Sequence, residues 1–419
     1  MEITVHASQL NGTVMAPPSK SLTQRAVVAG LMARGTSVIH NLSFCDDSLA
    51  AMKMAENLGA VIRRYKESIA ITPGIQSSGA VTLHCGESGL ALRMFAPVAM
   101  HFNDHVTMTG EGSLVRRPVT MITEVLPQLG VRCVSDRGLL PLTMDGRIQA
   151  GRLSVDGSAG SQFLTGLLMT LPVLDTDSEI EVFNLKSKPY INMTLKVLED
   201  FGIAVSNEDF SLFRIEGRQS YRAQNYNIEG DWSGAAFLLV AGAIGGDVTT
   251  GNLDPESMQA DMAIMQALND AGCHVTSDGG GLKAVRSGLR AFTFNATDSP
   301  DLFPPLAALA ANCKGTSRIR GISRLAHKES NRAGAITELL NAMKIRSWIE
   351  SDDMFIEGGA TASAAVSSHN DHRIAMMAAV MALTSENKIT IKNAEAVSKS
   401  FPGFYEIMSQ LGARIERQQ

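Results

Sequence analysis

Along the 419-residue chain two hydrophobic rhythms return together six times. The first is an amphipathic helical pattern, apolar at positions three and four apart, that reaches a stop and passes into a short alternating strand. It is read in AMKMAENLGAVIRR, ITEVLPQLGVRCV, TLKVLEDFGIAV, IMQALNDAGCHV, TELLNAMKIRSW and YEIMSQLGARIE. The stops fall at Gly59, Gly130, Gly202, Gly272, Lys344 and Gly412, spaced 68 to 72 residues apart. Glycine suits the slot because the residue after a helix often needs a left-handed backbone. Lys344 is therefore expected to reach its turn another way.

The second rhythm is a helix apolar on nearly every face, as a buried helix is. Its copies are QRAVVAGLMA, LALRMFAPVAM, QFLTGLLMTL, AAFLLVAGAI, LFPPLAALAA and IAMMAAVMAL. Ser21, Ser88, Ser161, Ser233, Asp301 and Asp371 precede them and are expected to cap them. Short β-like runs such as VTLHC, VTMTG, IEVFN, VTTGN and ITIKN lie between. Chance recurrence in an ordinary α/β protein is the alternative, and two independent markers in phase weigh against it. Each repeat should then be a small α/β fold of its own. A chain of this length exceeds one ordinary core, so two domains of three repeats follow.

Composition narrows the function classes. A net charge of −5 argues against nucleic-acid binding, and aromatic residues make up only 5%, too few for stacking platforms. The apolar runs are too short to span a bilayer. The start, MEITVHASQL, does not read as a signal peptide. Five scattered cysteines form no CxxC pair, and no Cys/His spacing suggests a metal site. A cytoplasmic protein with reduced thiols and no metal is expected.

The helix starts point to anions. A helix N-terminus carries free N–H groups and about half a positive charge, and several aimed at one cleft would favour a multiply anionic ligand. Lys20, Ser21 and Arg25 flank the first buried helix, Arg93 lies on the second, and Ser161 and Gln162 open the third. Asp301 opens the fifth; Asp371, His372 and Arg373 open the sixth. Each serine alone reads as a plain cap and each arginine as a solvated side chain. Together, Arg25, Arg93 and Arg373 on apolar helices imply buried cations, which need a counter-charge. Arg117 in RRPV, the trio Lys328, Glu329 and Arg332 in HKESNR, and Lys399 in SKSFPGF extend the cluster.

These segments, in this order, resemble the EPSP synthase family: PPSKSLTQRA, GSAGSQFLTGLLM, SKPY, SPD, HKESNR, DHRIAMM and SKSFPGF. The resemblance covers the whole chain and implies an α/β fold of two domains, each of three βαβαββ units in an inside-out barrel typical of enolpyruvyl transferases. The domains would be residues 19–228, and residues 1–18 with 229–419. It implies transfer of the carboxyvinyl group of phosphoenolpyruvate to shikimate 3-phosphate, a step of the shikimate pathway toward chorismate and the aromatic amino acids. No cofactor, membrane or nucleic acid is implied, and a monomer is expected.

By the same resemblance Lys20, Ser21 and Arg25 meet shikimate 3-phosphate, Lys20 also facing phosphoenolpyruvate. Ser161, Gln162 and Ser187 contact the phosphate and ring, with Tyr190 nearby. Asp301 holds the ring hydroxyls, helped by Lys328. Gly89, Arg117, Gln162, Arg332, Arg373 and Lys399 grip phosphoenolpyruvate. Asp301, Glu329 and Lys20 carry the proton transfers. Several positions depart from the family pattern: Glu87-Ser88-Gly89-Leu90-Ala91-Leu92-Arg93-Met94 stands where Asn-Ala-Gly-Thr-Ala-Met-Arg-Pro is usual, Arg324 where asparagine is common, and Gly160 replaces the first serine of Ser-Ser-Gln. Glu87 should need a cation, with Arg324, Arg93, Arg116 and Arg117 the candidates. The related transferase acting on UDP-N-acetylglucosamine is the nearest rival, and Lys20-Ser21 favours shikimate over it. A non-catalytic scaffold and an RNA 3′-phosphate cyclase are more distant readings.

Overall fold

A repeat is laid down as strand, buried helix, parallel strand, amphipathic helix and a final pair of strands. Strand Ala80–His84 passes through helix Gly89–Phe102 to His105–Thr109, its parallel partner. Parallel strands require such a crossover, and the helix supplies it. The next helical segment, Thr120–Val125 with Leu126–Leu129, leads into Arg132–Asp136 and Leu139–Asp145, which close antiparallel on the first pair. The computed structural model describes residues 1–74, 79–326 and 328–418, and among them six four-stranded sheets share this strand order. The β-like runs read from the sequence fall in these strands.

The chain forms two compact units, residues 18–229 and residues 1–17 with 230–419. In the first, helix Gly89–Phe102 packs against Lys20–Met32 and Gln162–Thr170, and the core gathers around them. The approach is close at Gly166, where a β-carbon would lie 2.5 Å from the Met94 carbonyl oxygen, so only glycine fits. In the second unit, helices Trp232–Gly245, Phe303–Ala311 and His372–Ala382 pack pairwise at the centre of the other core. Both units thus place helices inside and sheets outside. Among the described residues no helix is long and apolar enough to cross a membrane.

Two strands are exchanged where the chain passes between units. Leu10–Met15 precedes helix Lys20–Met32 in sequence, yet pairs in parallel with Gly246–Gly251 of its own unit. Asn225–Asn227 precedes helix Trp232–Gly245, yet pairs with Ser37–His40. The N-terminal strand Glu2–His6 sits centrally in the last sheet, between Lys388–Lys392 and Ile415–Gln418.

The six stops behave alike, which corrects one expectation. Gly59, Gly130, Gly202, Gly272 and Gly412 have φ of 101°, 82°, 81°, 88° and 106°, and Lys344 adopts φ 60° itself. The lysine takes no other route; it bears the left-handed strain, worth about 1–2 kcal/mol for an L-residue. Glycine would remove that strain at an entropic cost of about 0.5–1 kcal/mol. Lys344→Gly is therefore expected to stabilise the protein by up to about 1 kcal/mol, seen as a higher urea midpoint with an unchanged slope. A lower midpoint would show that Lys344 is held by contacts outweighing its strain.

Candidate active site

Capping at the buried helix starts differs in part from the sequence reading. Ser88 and Asp371 do cap, accepting from the Ala91 and Arg373 amides. Ser19, rather than Ser21, caps the first helix, and Asp231, rather than Ser233, caps the fourth. Ser21 and Ser233 lie a residue or two inside the first turn, where the backbone is already helical. Ser161 is an N-cap without a side-chain capping bond, and Asp301 sits in a short 3-10 turn ahead of its helix.

In the unit of residues 18–229, Arg25 is 1% exposed and bonds only to neutral oxygens. Its Nε donates to Thr194 Oγ1 at 3.0 Å and its Nη1 to the Ser21 carbonyl at 2.9 Å. Its Nη2 reaches Thr165 Oγ1 at 3.4 Å and the Tyr190 carbonyl at 3.3 Å. Burial pushes this guanidinium down to about 10, still charged at neutral pH. Arg117 is also buried, its Nε without a hydrogen-bond partner among the described residues. Its guanidinium lies flat against the second helix's start, where a β-carbon on Gly89 would come within 2.6 Å of Nη1. Arg93 donates to the Gly89 and Pro118 carbonyls and to Gln162 Oε1. Lys20 pairs with Asp47 at 2.9 Å.

Two strained or special backbones mark the same unit. Ser187, buried, holds a left-handed conformation (φ 61°, ψ 41°) at the start of helix Lys188–Asp200, three residues before Tyr190. Such strain in a non-glycine residue is concentrated at functional sites. Gly160 has φ 128° and ψ −176°, a backbone closed to most side chains, so the departure from serine comes with a local geometry that glycine permits. The Glu87 carboxylate accepts from the Ser113 amide at 2.8 Å and packs on Gly112.

In the unit of residues 1–17 and 230–419, the expected residues form one ionic network. Arg332 is fully buried; its Nε and Nη2 grip both oxygens of Asp371 at 2.9 and 3.2 Å. Nη1 reaches Asp301 at 2.8 Å and Nη2 reaches Glu329 at 2.5 Å. Burial alone would depress this guanidinium, but Asp371, Glu329 and Asp301 outweigh it and hold its pKa above the ordinary value. Asp301 also meets Lys328 at 3.2 Å and Arg373 at 3.0 Å. Lys399 donates to the Asn370 carbonyl at 2.6 Å. Arg324 is pushed down by burial and up by Asp298 and Asp301, so its charge has acidic neighbours in its own unit. His327, which opens HKESNR, lies outside the described residues.

Sequence reasoning missed several residues. Asp47, with Asp46 in the first turn of an amphipathic helix, offers no sequence signal beyond complementing the helix dipole. Thr165 and Thr194 bond each other at 2.9 Å and carry Arg25; their signal was a polar residue on a buried face. Asp371 read as a cap, yet it also takes Arg332 and the Ser330 hydroxyl at 3.0 Å. Asp261, buried beside Ser233, gave no sequence signal.

Solved structures share this architecture. An EPSP synthase from Acinetobacter baumannii superposes with a TM-score of 0.82 at 24% identity, covering 100% of both chains. The enolpyruvyl transferase NikO from Streptomyces tendae gives 0.77 at 17% identity over 99% of this chain and 98% of its own. The fold is thus that of enolpyruvyl transferases. A family model described as EPSP synthase (3-phosphoshikimate 1-carboxyvinyltransferase) matches residues 5–408. Relatives named 3-phosphoshikimate 1-carboxyvinyltransferase, from Clostridioides difficile (strain 630) and Clostridium kluyveri, are 34% and 36% identical, each over 99% of this chain and 98% of the relative. The chain belongs to the EPSP synthase family.

Asp371 offers a direct test of the network. Removing one partner of a fully buried pair leaves an uncompensated charge and costs about 3–5 kcal/mol; Asp301 and Glu329 remain, so Asp371→Ala should fall near the lower figure. Amide exchange in His372–Ala382 should accelerate, and Asp371→Asn, which keeps a capping oxygen, should lose less. Equal protection in all three proteins would contradict this account of Asp371.

Proposed function

We propose that this protein transfers the carboxyvinyl group of phosphoenolpyruvate to the 5-hydroxyl of shikimate 3-phosphate, releasing phosphate. The observation that carries the reading is Arg25, a guanidinium buried among hydroxyl and carbonyl oxygens. Its desolvation is offset only by weak dipoles, and a phosphate ester would supply the missing counter-charge. Ser21, Ser161, Gln162, Ser187 and Tyr190 are the proposed neighbours of that ligand. Arg117 and Gly89, at the start of the second buried helix, suit the compact anion phosphoenolpyruvate.

Residues of the other unit, together with Lys20, supply proton transfer. Asp301 takes the proton of the 5-hydroxyl as its oxygen attacks C2 of phosphoenolpyruvate, while Glu329 or Lys20 delivers a proton to C3. The tetrahedral adduct then loses phosphate as a methyl proton returns to the protein, restoring the double bond. Arg332 changes partners in this scheme. Asp371 keeps its two-point grip, and phosphoenolpyruvate replaces Asp301 and Glu329 on the outer nitrogens, leaving both carboxylates available for proton transfer. Arg373, Lys328 and Lys399 add positive charge for the phosphate that departs. Arg324 is proposed to contact substrate from the same unit.

The reaction draws on residues of both units, so substrate binding is proposed to bring these into one catalytic arrangement, with the two chain passages near residues 18 and 229 serving as hinge. A monomer is the proposed state. The free cysteines suit a reducing compartment, and the cytoplasm is the proposed location.

Phosphate release from phosphoenolpyruvate should depend strictly on shikimate 3-phosphate; release with UDP-N-acetylglucosamine instead would move the assignment to the sister activity. Lys20→Met should lower kcat by roughly a hundredfold or more, whereas Arg25→Ala should chiefly raise the KM for shikimate 3-phosphate. Equal kcat losses in the two variants would mean the roles are misassigned. In solution scattering, shikimate 3-phosphate with an unreactive phosphoenolpyruvate analogue should reduce the radius of gyration, and an unchanged radius would count against the hinge.

A further inference from the structure

We infer that Asp261 is a positioning residue of this reaction, a buried carboxyl group seated by Ser233 that sets the basicity of Asp301. The inference rests on the reading of Asp301 as the base that takes the hydroxyl proton. Asp261 lies in the short turn Ala260–Ala263 and is 1% exposed. Its Oδ2 accepts from the hydroxyl of Ser233, in the first turn of helix Trp232–Gly245. Its Oδ1 is buried without a hydrogen-bond partner among the described residues.

A purely structural acid would not be left so. An unmet carboxylate oxygen is costly to bury, and an apolar residue would fill the space with less penalty. The charges around Asp261 give a reason for keeping it. They are Asp301, Arg373 and Asp231, the cap of the adjoining helix. Arg373 bonds Asp301 Oδ2 at 3.0 Å, while Lys328 and Arg332 hold Oδ1. In the proposed scheme Arg332 leaves Asp301 when phosphoenolpyruvate binds, but Lys328 and Arg373 still make that carboxylate a poor base, since each favours its ionised form. A second carboxylate nearby opposes them by repelling the charge on Asp301 and drawing on Arg373. Asp261 is that second carboxylate.

The same surroundings make Asp261 sensitive to pH. Burial first, then the charge of Asp301, push its carboxyl up to about 6, against the pull of Arg373 and the Ser233 hydroxyl; Asp231 adds to the rise. Above that pH the group is ionised and supports the basicity of Asp301. As pH falls through it, Asp261 takes a proton, its support is withdrawn, and turnover declines. The Ser233 hydroxyl stabilises the ionised form, so its loss should move the decline to higher pH.

The test uses the full chain labelled with carbon-13 at the aspartate carboxyls, with Asp301→Asn to assign the Asp301 signal. In Asp261→Asn, Asp301 should titrate lower by about one pH unit. At pH 7.5, kcat should fall about threefold to tenfold, and the decline in kcat near pH 6 should vanish. In Ser233→Ala the decline should persist and shift upward, opposite signs that a packing defect would not produce. An Asp301 titration unmoved in a folded Asp261→Asn protein overturns the inference. Should that variant fail to fold, an acid limb unmoved or lowered in Ser233→Ala does the same. A moved Asp301 signal in a protein that releases no phosphate with shikimate 3-phosphate supports the coupling and refutes the functional reading.

Discussion

A guanidinium buried in protein must find negative charge or leave its desolvation unmet, and the two units answer that demand in opposite ways. In residues 18–229, Arg25 is surrounded by dipoles alone, and the Arg117 side chain lies against a helix start with an unpartnered nitrogen. In the other unit Arg332 is locked by three carboxylates, and Arg373 shares one of them. One unit surrounds its Arg25 with neutral oxygens; the other holds its Arg332 in contact with opposite charges. The contrast follows from which arginines the helices bury beside carboxylates and which beside threonines.

Much of this was legible in the sequence because it is written in periodic form. The buried helices are apolar on every face, and five of six stops are glycines, so the repeat and its fold class followed from spacing. The cations on those helices were visible as charges where no charge belongs. Less legible was anything set by a distance across the fold. Thr165 and Thr194 are adjacent only because two helices meet, and Asp47 meets Lys20 across two helix starts. Nothing local to Asp261 announces a buried acid, since QADMA reads as an ordinary turn. The caps were misplaced by two residues at Ser21 and Ser233 because any polar residue near a helix start looks like a cap until the backbone angles are known.

The departures from the family pattern divide by cause. Gly160 sits in a backbone that glycine accepts readily. The Glu87 carboxylate accepts from the Ser113 amide, with Gly112 clearing the space. Arg324 has Asp298 and Asp301 for electrostatic company within its own unit. Each changed residue is therefore accommodated by its immediate surroundings.

The exchanged strands have a consequence for how the chain is born. Residues 18–229 include every strand of their own three sheets, so this unit can assemble while the ribosome is still at work. Glu2–His6 emerges well before its partner strands but cannot find its sheet until Lys388–Lys392 and Ile415–Gln418 have been made. At about 5–20 residues per second that wait is roughly 20–80 s. Through it, a β-prone segment trails from the nascent protein with both hydrogen-bonding edges open, an invitation to chaperones or to stray pairing with other strands. Strands made late thus capture one made early.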